Sequence, residues 1–294
     1  MDKINGFLRL MRPANLVTAV ADILAGIAIA GVIPHPDLDN TPVILLIIST
    51  IGLYGGGVVF NDVFDAELDK TERPERPIPS GVISKTEASL LGSALLVIGI
   101  VAAIKIVFNP TGIIAIAIAA AALIYDRWGK HQSILGPINM GLCRGLNLLL
   151  GISVVPAALS SVYFLAFIPV LYIAAITMIS RGEVHGGNKR VLIAGGILYS
   201  IVIMSILIVA IRMNEVMMAT LFLVGFSAMI FPPLINAIKQ PSGKAIGKAV
   251  KAGVIALIIM NAAWAAAAGT LLLALIIIAL LPLSLLLGKL FAVT

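Results

Sequence analysis

Runs of about twenty mainly apolar residues recur along this chain, each long enough to cross a hydrocarbon core, and they constrain the fold more than any motif does. A backbone in lipid finds no water to bond, so its N–H and C=O groups must be satisfied internally, and helices are the default. The runs fall at 13–33, 42–62, 88–108, 110–126, 136–156, 161–181, 190–211, 215–238, 245–268 and 270–290. Only Gly269 and Thr270 mark a turn between the last two. The expected fold is therefore all-α and polytopic, with nine helices, or ten if that turn is real, forming one domain over 1–294. Composition agrees: 60% of residues are hydrophobic and 12% charged, against about 45–50% and 25% in soluble domains. The N-terminal stretch carries no small-residue cleavage site, so no cleaved signal peptide is expected. The single Cys143 excludes an intrachain disulfide and a cysteine metal cluster.

With the N-terminus placed in the cytoplasm, all but three of the 20 Lys and Arg fall on one side. Lys105 and Arg212 fall on the other, and Arg144 lies within a span. The positive-inside rule then puts the loops after spans two, four, six and eight in the cytoplasm. The opposite connections, such as "NPT" and "PAALSS", are short and carry few charges. The expected location is the cytoplasmic membrane, with the working face toward the cytoplasm.

One loop on that face begins inside a helix. "FNDVFDAELDKTERPERPIPSG", from Phe60 to Gly81, sets Asp62, Asp65, Glu67 and Asp69 directly behind an apolar run. Continue the second span as a helix, with Asn61 at zero: Asp62, Asp65 and Asp69 fall at about 100°, 40° and 80°, whereas Glu67 and Lys70 fall near 240° and 180°. Asn61 and the three Asp form one stripe. Packed carboxylates raise one another's pKa and call for a cation. Mg²⁺ suits oxygen ligands and bridges carboxylates to substrate phosphates. Arg73 and Arg76 follow in a loop stiffened by Pro74, Pro77 and Pro79, and guanidinium forks match phosphate oxygens. Carboxylates, Mg²⁺ and Arg at a membrane surface describe a site for a diphosphate whose apolar tail lies in the bilayer. The bland alternative is a solvated helix end with charges of both signs.

At "NDVFDAELD" and "RPERPIPSG" the sequence resembles the UbiA superfamily of intramembrane prenyltransferases. The resemblance implies about nine helices around a central cavity, and Mg²⁺-assisted transfer of a polyprenyl group from an isoprenyl diphosphate to an aromatic or lipid acceptor. It implies an Mg²⁺-holding role for Asn61, Asp62, Asp65 and Asp69, with Asp62 and Asp65 catalytic, substrate contact from Asn61, Arg73 and Arg76, and a matching pair in Arg12 and Pro13 of "LRLMRPAN". "YDRWGKH" resembles the family's Tyr/Lys loop, with Tyr125 and Lys130 as further substrate-binding candidates. The family's second Asp-rich motif is replaced here by "TMISRGEVHGGNKR". With "LGPINMGLCRGLNLLLG", that replacement looks most like the EboC-type subgroup of UbiA-like proteins.

Within that segment Arg181, Glu183 and His185 cluster on the working face. Glu183 is expected as a metal ligand or general base with His185 assisting, and Arg181 as a substrate contact. The alternative is a polar helix end. Asp22 lies inside the first span, where a carboxylate needs a cavity or a partner. Asn15, Thr18 and Asp22 share a helix face, as do Arg144 and Asn147. Two readings follow: Asp22 and Arg144 form a structural pair, or Arg144 and Asn147 line the cavity and bind substrate. His35 and His131 read as solvated loop residues. Gly52, Gly55, Gly56 and Gly57 read as close helix packing that sets the motif's position. Lys244, Lys248 and Lys251 read as a basic helix start at the anionic leaflet. No phosphate-cradling Gly motif occurs, so no nucleotide fold and no nucleic-acid partner are expected. A rival from another class is a non-catalytic carrier or exporter of a lipid or secondary-metabolite precursor that keeps the cavity. A CDP-alcohol phosphatidyltransferase is weaker still, because its acidic pattern is missing.

Overall fold

The computed structural model describes residues 2–33, 39–132, 135–183 and 186–291. Within them the chain is helical and has no strand. A short helix α1 (Lys3–Met11) meets α2 (Pro13–Ile29) at a bend of 41°. Arg12 sits at the bend with φ 47°, a left-handed conformation, and Pro13 opens α2 with its fixed φ and no N–H to satisfy. Helix α3 (Thr41–Glu72) runs unbroken through the acidic stretch, as the sequence predicts, because neither Gly nor Pro interrupts it between Gly57 and Pro74. Helix α4 (Lys85–Ile106) starts from a reciprocal cap in which Ser84 and Glu87 each satisfy the other's backbone N–H. Then follow α5 (Ile113–Arg127), α6 (Leu135–Ile152), a short α7 (Pro156–Val162) leading into α8 (Phe167–Ser180), α9 (Lys189–Arg212) and α10 (Val216–Lys239). The last helices, α11 (Gly243–Ala267) and α12 (Leu271–Leu290), part at Gly269, whose φ of 78° suits glycine. The last two expected crossings are thus separate helices.

Eight helical segments among the described residues are long and apolar enough to cross a membrane, and the bent pair α1–α2 makes nine. Helix α6 carries the polar Arg144 and Asn147 and packs inside, against α2, α5 and α8. Helix α2 touches α3, α6, α11 and α12, so it forms the hub of the bundle. Exposed Leu, Ile and Val on α4, α9, α10 and α12 give those helices an apolar outer face, as expected where the solvent is lipid rather than water.

Small residues set the close crossings. A Cβ on Gly52 of α3 would lie 2.5 Å from the Leu95 carbonyl oxygen and 2.9 Å from the Gly99 Cα of α4. Gly26 of α2 meets Gly151 of α6 in the same way. The glycine cluster ahead of the motif therefore packs helices, as expected, and Gly57 turns to the cavity beside Ala122.

Candidate active site

At the end of α3 the stripe forms as the wheel requires. Asp62 and Asp69 are buried and Asp65 is partly so, whereas Glu67 is exposed and pairs with Lys70 at 2.8 Å. Each striped carboxylate meets a base from a different segment. Arg12 Nη2 donates to Asp62 Oδ1 at 2.5 Å, an approach that the bend between α1 and α2 makes possible. Arg76 Nη1 reaches Asp69 Oδ2 at 2.8 Å and Asp62 Oδ1 at 3.3 Å. Lys130, in the turn after α5, bonds Asp65. Arg73 is half-exposed and stands 3.9 Å from Asp69. Asn61 Nδ2 donates at 2.9 Å to Asp126 Oδ1, a buried carboxylate at the end of α5. Among the described residues no three His, Cys, Asp or Glu side chains converge on a point that could hold a metal ion. Asp62, Asp65 and Asp69 share a face, but basic side chains separate them.

Through Asn61 the stripe meets a cavity of about 260 Å³ lined from α2, α3, α5, α6, α8 and α11; Asp62, Asp65 and Asp69 are not part of that lining. Its walls near the stripe are Arg12, Asn61, Tyr125 and Asp126; Leu53, Ile118, Ile173, Ile176 and Leu257 make the apolar side. Thr50, Tyr54, Arg144 and Asn147 add a polar stretch.

Those last residues belong to a second network, buried between α2, α3, α6 and α11. Arg144 Nη1 donates to Asp22 Oδ2 at 2.8 Å, and its Nη2 donates to Thr18 Oγ1 at 2.7 Å and to the Tyr54 hydroxyl at 3.0 Å. The guanidinium carbon also lies 4.7 Å from the Tyr54 ring centroid. Asp22 further accepts from Asn261 Nδ2 at 2.7 Å and Asn147 Nδ2 at 3.2 Å. Thr50 donates to Asn147 Oδ1 at 2.8 Å. The structural Asp22–Arg144 pair exists, and Arg144 and Asn147 also line the cavity. Asn261, in the Ala-rich part of α11, and Asp126, at the end of α5, are not among the expected site residues, yet they hold Asp22 and Asn61.

The segment after α8 stands apart. Arg181 lines a smaller recess with Gly186, Gly187 and Asn188. Glu183 lies in the adjoining turn, over Gly247 of α11, and does not line the cavity. Desolvation there pushes its carboxyl above the usual range. His35 and His185 lie outside the described residues, as does the side chain of His131.

Comparison with known proteins adds the context. The model of the UbiA prenyltransferase family matches residues 19–250. A digeranylgeranylglyceryl phosphate synthase from Ignicoccus hospitalis is 30% identical over 186 residues, which cover 63% of this chain and 59% of that protein. The chain thus spans about three fifths of that relative's length. A solved structure of a digeranylgeranylglyceryl phosphate synthase shares the fold at TM-score 0.67 and 22% identity, over 91% of this chain and 99% of the other. A UbiA homologue from Archaeoglobus fulgidus, bound to GPP and Mg²⁺, superposes at TM-score 0.64 and 17% identity, over 86% and 99%. The likeness to the EboC-type subgroup rests on the sequence residues alone.

Proposed function

This chain belongs to the UbiA prenyltransferase family, and on that premise we propose that it transfers an isoprenyl group from its diphosphate to a lipid acceptor of the prenylglyceryl phosphate type. The observation that carries the reading is the set of Arg12, Arg76 and Lys130 around the striped carboxylates, joined through Arg12 and Asn61 to a largely apolar cavity. The donor set fits Mg²⁺, since Asn61, Asp62, Asp65 and Asp69 offer only hard oxygen ligands on one face. The bases that now separate these carboxylates are the groups a diphosphate would attract. Asn61, Asp62 and Asp65 would hold the ion, with Asp69 anchoring Arg76 and Arg73. The chemistry such an ion supplies is charge neutralisation on the departing diphosphate.

Arg12, Arg76 and Lys130 bind the phosphate oxygens, with Arg73 at the outer edge. The bond from the allylic carbon to the diphosphate oxygen breaks, and the electron pair leaves with the diphosphate. Leu53, Ile118, Ile173, Ile176 and Leu257 keep water from the allylic cation. Tyr54 and Tyr125 line the same space. The acceptor hydroxyl oxygen then forms the new C–O bond and loses its proton to the released diphosphate. The polar stretch at Arg144 and Asn147 shapes the cavity beside the acceptor. The end rich in Lys and Arg faces the cytoplasm, as positive-inside charge placement requires.

The acceptor class follows the name of the relatives, and it is tested directly. Purified protein with Mg²⁺ and geranylgeranyl diphosphate is given geranylgeranylglyceryl phosphate or an aromatic acid of the hydroxybenzoate kind. The ether lipid is the expected product. Prenylation of the aromatic acid alone would overturn the acceptor while leaving the transfer intact.

A further inference from the structure

In the prenyl-transfer reading the cation depends on the α3 stripe, whose Asn61 lines the cavity, while Glu183 lies apart over Gly247 of α11. That makes the orientation of each stripe ligand matter. Asn61 is the one neutral member, and only one end of its amide can serve: a carbonyl oxygen can face a cation, and an NH₂ group cannot. Which end faces inward depends on what holds the other. Here the holder is Asp126, 4% exposed, whose Oδ1 lies 2.9 Å from Asn61 Nδ2. A carboxylate oxygen accepts and the amide nitrogen donates, so the contact fixes the amide's sense. Asp126 and Asn61 both line the cavity, and Asp126 comes from α5, across from α3.

We infer that Asp126 is a positioning residue: by accepting from the Asn61 amide nitrogen, it turns the Asn61 carbonyl oxygen toward the cation that holds the isoprenyl diphosphate. The inference rests on the prenyl-transfer reading above. It assigns α5 a part in cation binding through a carboxylate that does not touch the ion, as outer partners do at many metal sites. Substitution of such a partner weakens metal binding by about tenfold to a hundredfold.

The test uses Mn²⁺ as probe, followed by electron paramagnetic resonance on the full chain in nanodiscs with an uncleavable thio-analogue of geranylgeranyl diphosphate. Asp126→Asn, in which the side chain can donate or accept, is expected to weaken Mn²⁺ binding about tenfold or more. Binding of the analogue without metal stays within twofold of wild type. Asn61→Ala gives a similar loss, and the double variant is no weaker than the worse single one. Additive losses would mean that Asp126 binds the ion itself, and Mn²⁺ affinity within twofold of wild type in Asp126→Asn would mean that it does nothing; either overturns the inference. A second pair guards against misfolding: Asp126→Glu keeps an acceptor and should retain more Mn²⁺ binding than Asp126→Gln, and equal losses count against the inference. Failure of the wild-type protein to bind Mn²⁺ with the analogue would instead remove the prenyl-transfer reading, and this inference with it.

Discussion

Arg144→Met probes the buried network at its charged centre. Asp22 is 2% exposed and accepts from Arg144, Asn147 and Asn261, all from other helices. Without Arg144 the carboxylate keeps two amide donors but no counter-charge. Breaking a buried pair from one side costs about 3–5 kcal/mol, because the remaining charge is uncompensated. The bonds from Arg144 to Thr18 and Tyr54 add less, since neutral hydrogen bonds between membrane helices average about 0.6 kcal/mol. The charge term decides, and the total is about 4 kcal/mol. At about 2 °C per kcal/mol for a chain of this size, the unfolding midpoint should fall by about 8 °C or more. Trp264 is fully buried on α11, one turn from Asn261, so its fluorescence reports the transition in detergent. Asp22→Leu combined with Arg144→Met removes both charges and should regain most of the loss, as replacement of buried pairs by apolar residues does. A midpoint within about 2 °C of wild type for Arg144→Met, or a double variant no better than the single, would refute this reasoning.

Three further outcomes follow from the same contacts. Arg76→Met removes the shared partner of Asp62 and Asp69 and should lower turnover about 100-fold, with weaker diphosphate binding in equilibrium titration. Gly52→Ala puts a methyl 2.5 Å from the Leu95 carbonyl, forces α3 and α4 apart and should destabilise by about 1–3 kcal/mol in thermal unfolding. Glu67→Gln, on the outward face beside Lys70, should leave steady-state kinetics unchanged, in contrast to Asp62→Asn.

The sequence carried much of this arrangement because it is local. An unbroken α3 follows from the lack of Gly and Pro between Gly57 and Pro74, and 100° per residue then separates Asp62, Asp65 and Asp69 from Glu67. Thr18 and Asp22 share a face for the same reason, and both meet Arg144. The long-range parts were hidden. Which base meets which carboxylate depends on the bend at Arg12 and on helix packing, so the Arg12–Asp62 bond spans 50 positions with no local trace. Asp126 reads as a charged span end beside Arg127. Its signal was available in the wheel, because Ile118, Ala122 and Asp126 recur every fourth residue on the cavity face of α5. Asn261 stands alone in an Ala-rich run, and only the need of Asp22 for partners hints at it. The expected second motif was placed by resemblance rather than by local physics; Glu183 lies outside the cavity lining.

The central claim is that the α3 stripe and its bases hold an isoprenyl diphosphate for ionisation. The direct measurement is release of diphosphate from labelled geranylgeranyl diphosphate by the purified chain with Mg²⁺ and acceptor. Release coupled one to one with prenylated acceptor, and lost in Asp62→Ala and Asp65→Ala, is the predicted result. A wild-type protein that binds the diphosphate and turns over with no acceptor would contradict it and leave a carrier.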